Sequence, residues 1–302
     1  MTQIKLLGAP LDLGASRRGT DMGPSALRLT GVEARLAALG HDVEDLGNVD
    51  VPIAESSDVG DASQRFATTI AGVCAALAER TRGASAAGAV PLVFGGDHSI
   101  AMGGIGGVAA AQRAAGRTIG VIWVDAHADM NTPETTPSGN VHGMPLAVVQ
   151  GRGPSLLTET AAASAVIASA NVALLGIRDL DQREKEIVRE SGVTAITMAD
   201  IDRHGMAAAA ARALAAAGAG TAGVYLSVDM DGIDPSIAPG VGTPVRGGLT
   251  YRESHLLMEF VAESEQLIGA DIVEINPSLD DRNATAELAA ELVLSLFGRR
   301  IL

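Results

Sequence analysis

The 302-residue chain contains a single cysteine, Cys74. With only one, no intrachain disulfide can form and no thiolate cluster can hold a metal, and a reducing cytoplasm is the natural setting. Aromatic residues make up only 2%, so the core must be built from the aliphatic side chains and alanines behind a hydrophobic fraction of 47%. Basic residues are also few: 22 Lys and Arg stand against 36 Asp and Glu, for a formal charge of -14. That balance argues against a nucleic acid or an anionic membrane as partner, because phosphate binding needs clustered cations. A small cationic substrate suits it better, although acidity alone also serves solubility. Long apolar runs are missing as well. The stretch from Met206 to Leu226 is mostly alanine, carries Arg212 and is broken by Gly218, Gly220 and Gly223, so no membrane span is expected. The segment Met1 to Gly8 lacks the basic lead and sustained apolar core of a secretion signal and reads as a first strand.

What the chain does have is alternation. Apolar runs of strand length at Ile4–Leu7, Val90–Phe94, Ile119–Val124, Val172–Leu175, Val193–Ile196, Val224–Val228 and Ile268–Val273 alternate with helix-period segments. The helical segments are Pro24–Leu39, Ala62–Arg82, Ile100–Ala115, Gln182–Glu190, Met198–Ala217, Tyr251–Glu265 and Asn283–Phe297. This order predicts a parallel α/β fold, and the absence of a linker or repeat predicts one domain over 1–302. Periodicity leaves open whether the strands close into a barrel or stay an open sheet with helices on both faces. Either places chemistry at the carboxyl ends of the strands.

Three acidic-histidine stretches fall at such ends: Gly95-Gly96-Asp97-His98-Ser99, Asp125-Ala126-His127-Ala128-Asp129, and Asp229-Met230-Asp231. Side chains alternate along a strand, so Asp125, His127 and Asp129 are expected to project together, as are Asp229 and Asp231. One such stretch could merely cap a sheet edge; three together predict a metal site with candidate ligands His98, Asp125, His127, Asp129, Asp229 and Asp231. Four converging carboxylates repel unless protons or cations neutralise them, and six ligands suit two ions with bridging carboxylates. Without thiolates, the mixed oxygen and imidazole set favours manganese, with iron, cobalt or nickel as alternatives. A pair of ions sharing a water could generate hydroxide at neutral pH, which implies hydrolysis.

Asp97 and Asp234 are left outside the ligand set, as residues that orient imidazoles or cap turns. The structureless segment from Asn131 to His142 is long enough to be functional, and His142 at its end suits a proton shuttle. His41, His204 and His255 are expected to be surface or capping residues. Glu274 ends the last strand, where a carboxylate could hold a guanidinium bidentately or form a structural ion pair. Gly104-Ile105-Gly106-Gly107-Val108-Ala109 loosely fits a dinucleotide fingerprint, with Asp125 as the ribose acid, which would suit a nucleotide-binding oxidoreductase. The glycines come too long after Phe94 for the tight turn such a site needs, and helix packing explains them better.

Taken together, these stretches resemble the ureohydrolases, the arginase and agmatinase superfamily, and most of all the arginases. The likeness runs from Arg17-Arg18-Gly19-Thr20-Asp21-Met22-Gly23-Pro24 through the metal stretches, Ser138-Gly139-Asn140-Val141-His142-Gly143, Gly176-Ile177-Arg178-Asp179-Leu180-Asp181 and Gly242-Thr243-Pro244 to Glu274-Ile275-Asn276-Pro277. The loop from Asn131 to His142 favours arginase over agmatinase.

The resemblance implies a three-layer α/β/α fold with an open, mostly parallel eight-stranded sheet, of the arginase and deacetylase type. It implies two Mn(II) per subunit: one on His98, Asp125, Asp129 and Asp229, the other on Asp125, His127, Asp229 and Asp231. It further implies that Asn131 and Ser138 meet a substrate α-carboxylate and Asp181 the α-amino group, with Glu184, Thr136 and Thr243 nearby. Glu274 and His142 take the guanidinium and proton-transfer positions. The implied reaction is hydrolysis of L-arginine to L-ornithine and urea, through a hydroxide bridging the two ions, in a homotrimer or homohexamer. Agmatinase or guanidinobutyrase activity is the alternative within the superfamily.

Overall fold

A computed structural model describes residues 1–162 and 166–300, so the extremes of the expected 1–302 domain include residues outside those described. Eight strands pair in parallel: β1 (Gln3–Ala9), β2 (Asp42–Asn48), β3 (Val90–Gly95), β4 (Gly120–Val124), β5 (Val172–Ile177), β6 (Thr194–Thr197), β7 (Val224–Asp229) and β8 (Leu267–Val273). Their order is β2-β1-β3-β8-β7-β4-β5-β6, with β2 and β6 at free edges, so the sheet is open and not a barrel.

The helices are α1 (Gly23–Leu29), α2 (Val32–Ala38), α3 (Ala67–Ala86), α4 (Ala101–Ala114), α5 (Pro145–Val149), α6 (Ser155–Ala162), α7 (Gln182–Ser191), α8 (Met198–His204), α9 (Met206–Gly218), α10 (Tyr251–Ser264) and α11 (Ala284–Leu296). Strand alternation sorts them into two outer layers. Leu92, Phe94, Ile122 and Val124 face a core shared with α1, α2, α9, α10 and α11. Val93 and Leu7 face a core with α3, while Val121 and Trp123 face one with α4.

Three departures from the sequence reading have local causes. Strand β2 was not anticipated because its sequence, DVEDLGN, is polar and only partly buried at the sheet edge. The single helix expected over Pro24–Leu39 breaks at Gly31 (φ 70°), and that over Met198–Ala217 breaks at Gly205 (φ 80°), both left-handed positions that glycine adopts without a steric penalty. The helix expected from Ala62 begins only at Ala67, after Phe66 at φ 58°.

The glycines of α4 belong to helix packing. A Cβ at Gly103 would lie 2.6 Å from the Cys74 carbonyl oxygen, and one at Gly107 would lie 2.2 Å from that of Ala78, so α3 and α4 touch backbone to backbone. They sit inside a buried helix and not in a strand-to-helix turn, which removes the basis for the nucleotide-binding alternative.

Candidate metal centre and substrate cleft

Strands β3, β8, β7 and β4 are consecutive neighbours at the centre of the sheet, so their carboxyl ends deliver His98, Glu274, Asp229 with Asp231, and Asp125 with His127 and Asp129 to one place. The convergence does not come from strand alternation, as the sequence suggested. Strand β4 stops at Val124, and the acidic stretch after it turns on its own side chains: Asp125 Oδ1 accepts the His127 amide at 2.7 Å, and Asp129 takes the left-handed conformation (φ 51°). Asp229 repeats the device, its Oδ1 accepting the Asp231 amide at 2.7 Å. Short polar side chains that bond the backbone two residues on form such turns. Glu274 is also left-handed (φ 64°). Non-glycine residues pay about 1–2 kcal/mol for that conformation, and such strain concentrates at functional sites.

Two clusters result, each with one imidazole and two carboxylates whose ligand atoms lie within 4.8 Å of one another: His98, Asp125 and Asp229, and Asp125, His127 and Asp231. Asp125 belongs to both. His98 Nδ1 lies 3.1 Å from Asp229 Oδ2 and 3.2 Å from oxygens of Asp125 and Asp129. His127 Nδ1 lies 3.2 Å from Asp231 Oδ2 and 3.3 Å from Asp125 Oδ1. One ring nitrogen has one proton or one lone pair to offer, so it cannot satisfy three carboxylates at once. Even with both imidazoles charged, four carboxylates leave buried negative charge unbalanced. The donor set therefore fits a pair of divalent cations.

The electrostatics carry the same message. Burial, then Asp231 and Asp125, push Asp229 well above the ordinary carboxylate range, and burial and Asp125 lift Asp129 to about 6. Burial opposes charge on His98 and His127, yet the surrounding carboxylates raise both well above their usual value. His142 Nδ1 pairs with Glu274 Oε1 at 2.8 Å; burial works against its charge, but Glu274 lifts it to about 9. Burial disfavours the Glu274 carboxylate, and His142 more than offsets that, lowering its pKa. The same Oε1 accepts the His98 amide at 2.9 Å.

Behind His98 lies a buried set of Trp123, Ser227 and Asp271, of which the sequence assigned no role to the last two. The His98 ring stacks on Trp123 with centroids 4.0 Å apart. Its Nε2 bonds Ser227 Oγ at 2.8 Å, and that hydroxyl donates to Asp271 Oδ1 at 2.6 Å. The only available signal was a polar Ser227 and Asp271 inside otherwise apolar strands. The set orients the ring so that Nδ1 faces the carboxylates.

Beside the clusters, a cleft of about 290 Å³ is lined by His127, Asp129, Asn131, Thr136, Ser138, His142, Asp181, Glu184, Asp229, Asp231 and Thr243, which brings four of the predicted metal residues together with the predicted substrate residues, while His98 and Asp125 are buried and do not line it. An adjoining recess of about 410 Å³ adds Arg17 and Glu274. A larger cavity of about 930 Å³ beside α10 is lined by none of the predicted site residues. Asn131 Nδ2 donates to Asp181 Oδ2 at 2.9 Å, which ties two of the expected substrate residues together. Asp181 also caps α7 by accepting the Arg183 and Glu184 amides. Glu184 Oε1 accepts the Met130 amide, and burial with Asp129 nearby raises its pKa to about 8. Thr243 Oγ1 donates to Asp231 Oδ2 at 2.7 Å, and Thr136 Oγ1 accepts the Gly139 amide at 3.0 Å, so the first steadies a carboxylate and the second shapes the loop.

The acids left outside the ligand set have their oxygens occupied. Asp97 accepts the Gly14 and Ser99 amides, and Asp234 accepts those of Ser236, Gly247 and Gly248. His204 lies in the last turn of α8, and His41 bonds the Phe297 carbonyl. His255 is not a surface residue: it is buried on α10 with Nδ1 on Ser295 Oγ at 2.8 Å.

An open parallel sheet with paired carboxylate–imidazole clusters at its central strand ends defines an α/β class built to hold two cations beneath a polar cleft. The profile of the Arginase family matches residues 2–298. The chain is 48% identical to the arginase of Bacillus caldovelox over 303 residues, covering 100% of both chains, and 44% identical to that of Brevibacillus brevis, covering 99% of each. The native structure of the Bacillus caldovelox arginase superimposes with a TM-score of 0.95 over 100% of both chains at 48% identity. The chain belongs to the arginase family.

Proposed function

We propose that this chain hydrolyses L-arginine to L-ornithine and urea with two manganese(II) ions, as a single catalytic unit over residues 1–302 that works in the cytoplasm as a homotrimer or homohexamer. One observation carries the reading: a single cleft is lined by members of both carboxylate–imidazole clusters, Asp229 of one and His127 with Asp231 of the other, together with Asn131, Ser138 and Asp181, groups suited to the carboxylate and amino groups of an α-amino acid.

One ion would be held by His98, Asp125, Asp129 and Asp229, the other by Asp125, His127, Asp229 and Asp231. When bound, the pair supplies Lewis acidity that lowers the pKa of water from ~15.7 towards ~7. The chain's own groups do the rest. Glu274 is buried and ionised, and its Oε1 is fixed by the His98 amide and His142, which leaves Oε2 for a guanidinium. His142, charged below about pH 9 and anchored on Glu274 through Nδ1, gives a proton to the departing amine. Asn131 and Ser138 donate to the α-carboxylate, and Asp181 accepts from the α-amino group beside Glu184. Thr243 holds Asp231 in place, and Thr136 holds the loop that presents Ser138. Asp129 accompanies the reacting centre as a ligand carboxylate.

A substrate panel tests the assignment. Urea release from L-arginine, agmatine and 4-guanidinobutyrate in the presence of Mn(II) should favour arginine strongly. Urea from agmatine or guanidinobutyrate, with none from arginine, would overturn the substrate.

A further inference from the structure

The segment from Asn131 to His142 carries Asn131, Thr136 and Ser138, half of the expected substrate residues, yet has little regular structure, so something else must fix its shape. On one flank it is held by Arg65, which precedes α3. The Arg65 amide donates to the Gly139 carbonyl at 3.0 Å, Nη1 donates to the Ser138 carbonyl at 2.9 Å, and Nη2 donates to both Asn140 Oδ1 and Ser16 Oγ, the latter at 3.0 Å. Ser16 Oγ in turn bonds Asn140 Oδ1 at 3.0 Å. Three consecutive loop residues, 138 to 140, are therefore bound to one arginine. On the other flank Arg183, in the first turn of α7, donates from Nη1 to the Glu134 carbonyl at 2.7 Å. Gly139 makes the first contact feasible: it is left-handed (φ 72°), and a Cβ there would stand 1.9 Å from the Ala62 carbonyl oxygen.

We infer that Arg65 and Arg183 are positioning residues that clamp the substrate loop from both sides, and that Arg65 in particular sets the Ser138 contact to the substrate α-carboxylate. The inference rests on the proposed reading of the loop. Geometry, beyond charge, makes arginine suited to the role. A guanidinium presents five donors in a rigid planar fork and can bridge a carbonyl, an amide oxygen and a hydroxyl at once, whereas a lysine ammonium is a point donor on a flexible stem. Preorganising the loop spares the substrate the cost of ordering it on binding, so losing the clamp weakens recognition of the α-carboxylate end while the metal-centred chemistry is left in place.

The test separates clamp from charge and from fold. Arg65→Ala and Arg65→Lys are compared with the wild type and with Arg82→Ala, an exposed arginine paired with Glu79. For Arg65→Ala the KM for L-arginine should rise roughly 10-fold with kcat changed by less than about 3-fold, and the inhibition constant of L-ornithine should rise in parallel. Inhibition by 1,4-diaminobutane, which lacks the carboxylate, should not change. Arg65→Lys should resemble Arg65→Ala, and Arg183→Ala should also raise KM, whereas Arg82→Ala should match the wild type. Full rescue by Arg65→Lys would reduce the effect to charge and overturn the clamp, as would an unchanged KM in Arg65→Ala or an equal weakening of ornithine and 1,4-diaminobutane. Wild-type enzyme that releases no urea from arginine would instead overturn the functional reading, a failure distinguishable from that of the clamp.

Discussion

Asp125 belongs to both carboxylate–imidazole clusters and, with Asp229, to both proposed ligand sets. Asp125→Asn keeps the volume but leaves one acceptor oxygen where the carboxylate accepts from both the His127 amide and Trp123 Nε1, and it removes the shared charge, so both ions should be lost on gel filtration and urea release should fall by more than about 100-fold. Elemental analysis of the variant checks this, and a variant that retains two ions would refute the shared role. The site was legible residue by residue where chemistry imposes unusual types at strand ends, as with His98, Asp125, Asp229 and Glu274. It was not legible where position alone makes a residue matter. Ser227 and Asp271 look like ordinary interruptions of apolar strands until the sheet order places them behind His98. His255 reads as a surface histidine until the closing turn of α11 covers it with Ser295.

Among the elements, strand order escaped the sequence most completely. Seven of the eight strands announce themselves as apolar runs. The eighth, β2, lies at an edge, where it packs only partly buried Val43 and Leu46 against the cores, and it is also tied by charge: Arg28 at the end of α1 grips Asp45 with Nε at 2.6 Å and Nη2 at 2.9 Å, and reaches Asn48 with Nη1. Arg28 lowers the Asp45 pKa, so the pair stabilises the folded chain above the unfolded carboxylate value of about 3.9, and that contribution is lost as pH falls through the lower folded value. Arg28→Gln should cost about 1–2 kcal/mol near pH 7, and the gap from wild type should close towards pH 3 in thermal unfolding. A gap that is the same at both pH values would contradict the ion-pair account.

The α3–α4 contact makes an opposite case, in which a sequence feature was seen and its physical meaning came only with the fold. Gly107→Ala improves intrinsic helix propensity by about 1 kcal/mol, yet the new Cβ would lie 2.2 Å from the Ala78 carbonyl oxygen and 2.1 Å from Thr81 Oγ1. Backbone cannot yield as a side chain can, so the variant should be less stable by roughly 1–3 kcal/mol in urea unfolding. A stabilised Gly107→Ala would mean that the helices are not in backbone contact.

For the whole molecule, the alternation of apolar runs with helix-period segments predicted the class and the excess of acid suited a cationic substrate, but neither could choose between an open sheet and a closed barrel. That choice depends on pairings between strands far apart in sequence, such as β3 with β8. The formal charge of -14 should assist encounter with a cationic substrate. Raising ionic strength from about 0.01 M to about 0.15 M shortens the screening length from ~30 to ~8 Å, so kcat/KM for arginine should fall as salt is added. A flat salt profile would show that the acidity serves solubility alone.

The most direct measurement is a titration of metal-free protein with Mn(II) in which bound metal and urea release from L-arginine are followed together. Activity should appear as the clusters around His98 and His127 fill, reach its plateau at two ions per chain, vanish on chelation and return on reloading. Undiminished urea release from protein that elemental analysis shows to hold no transition ion would contradict the account.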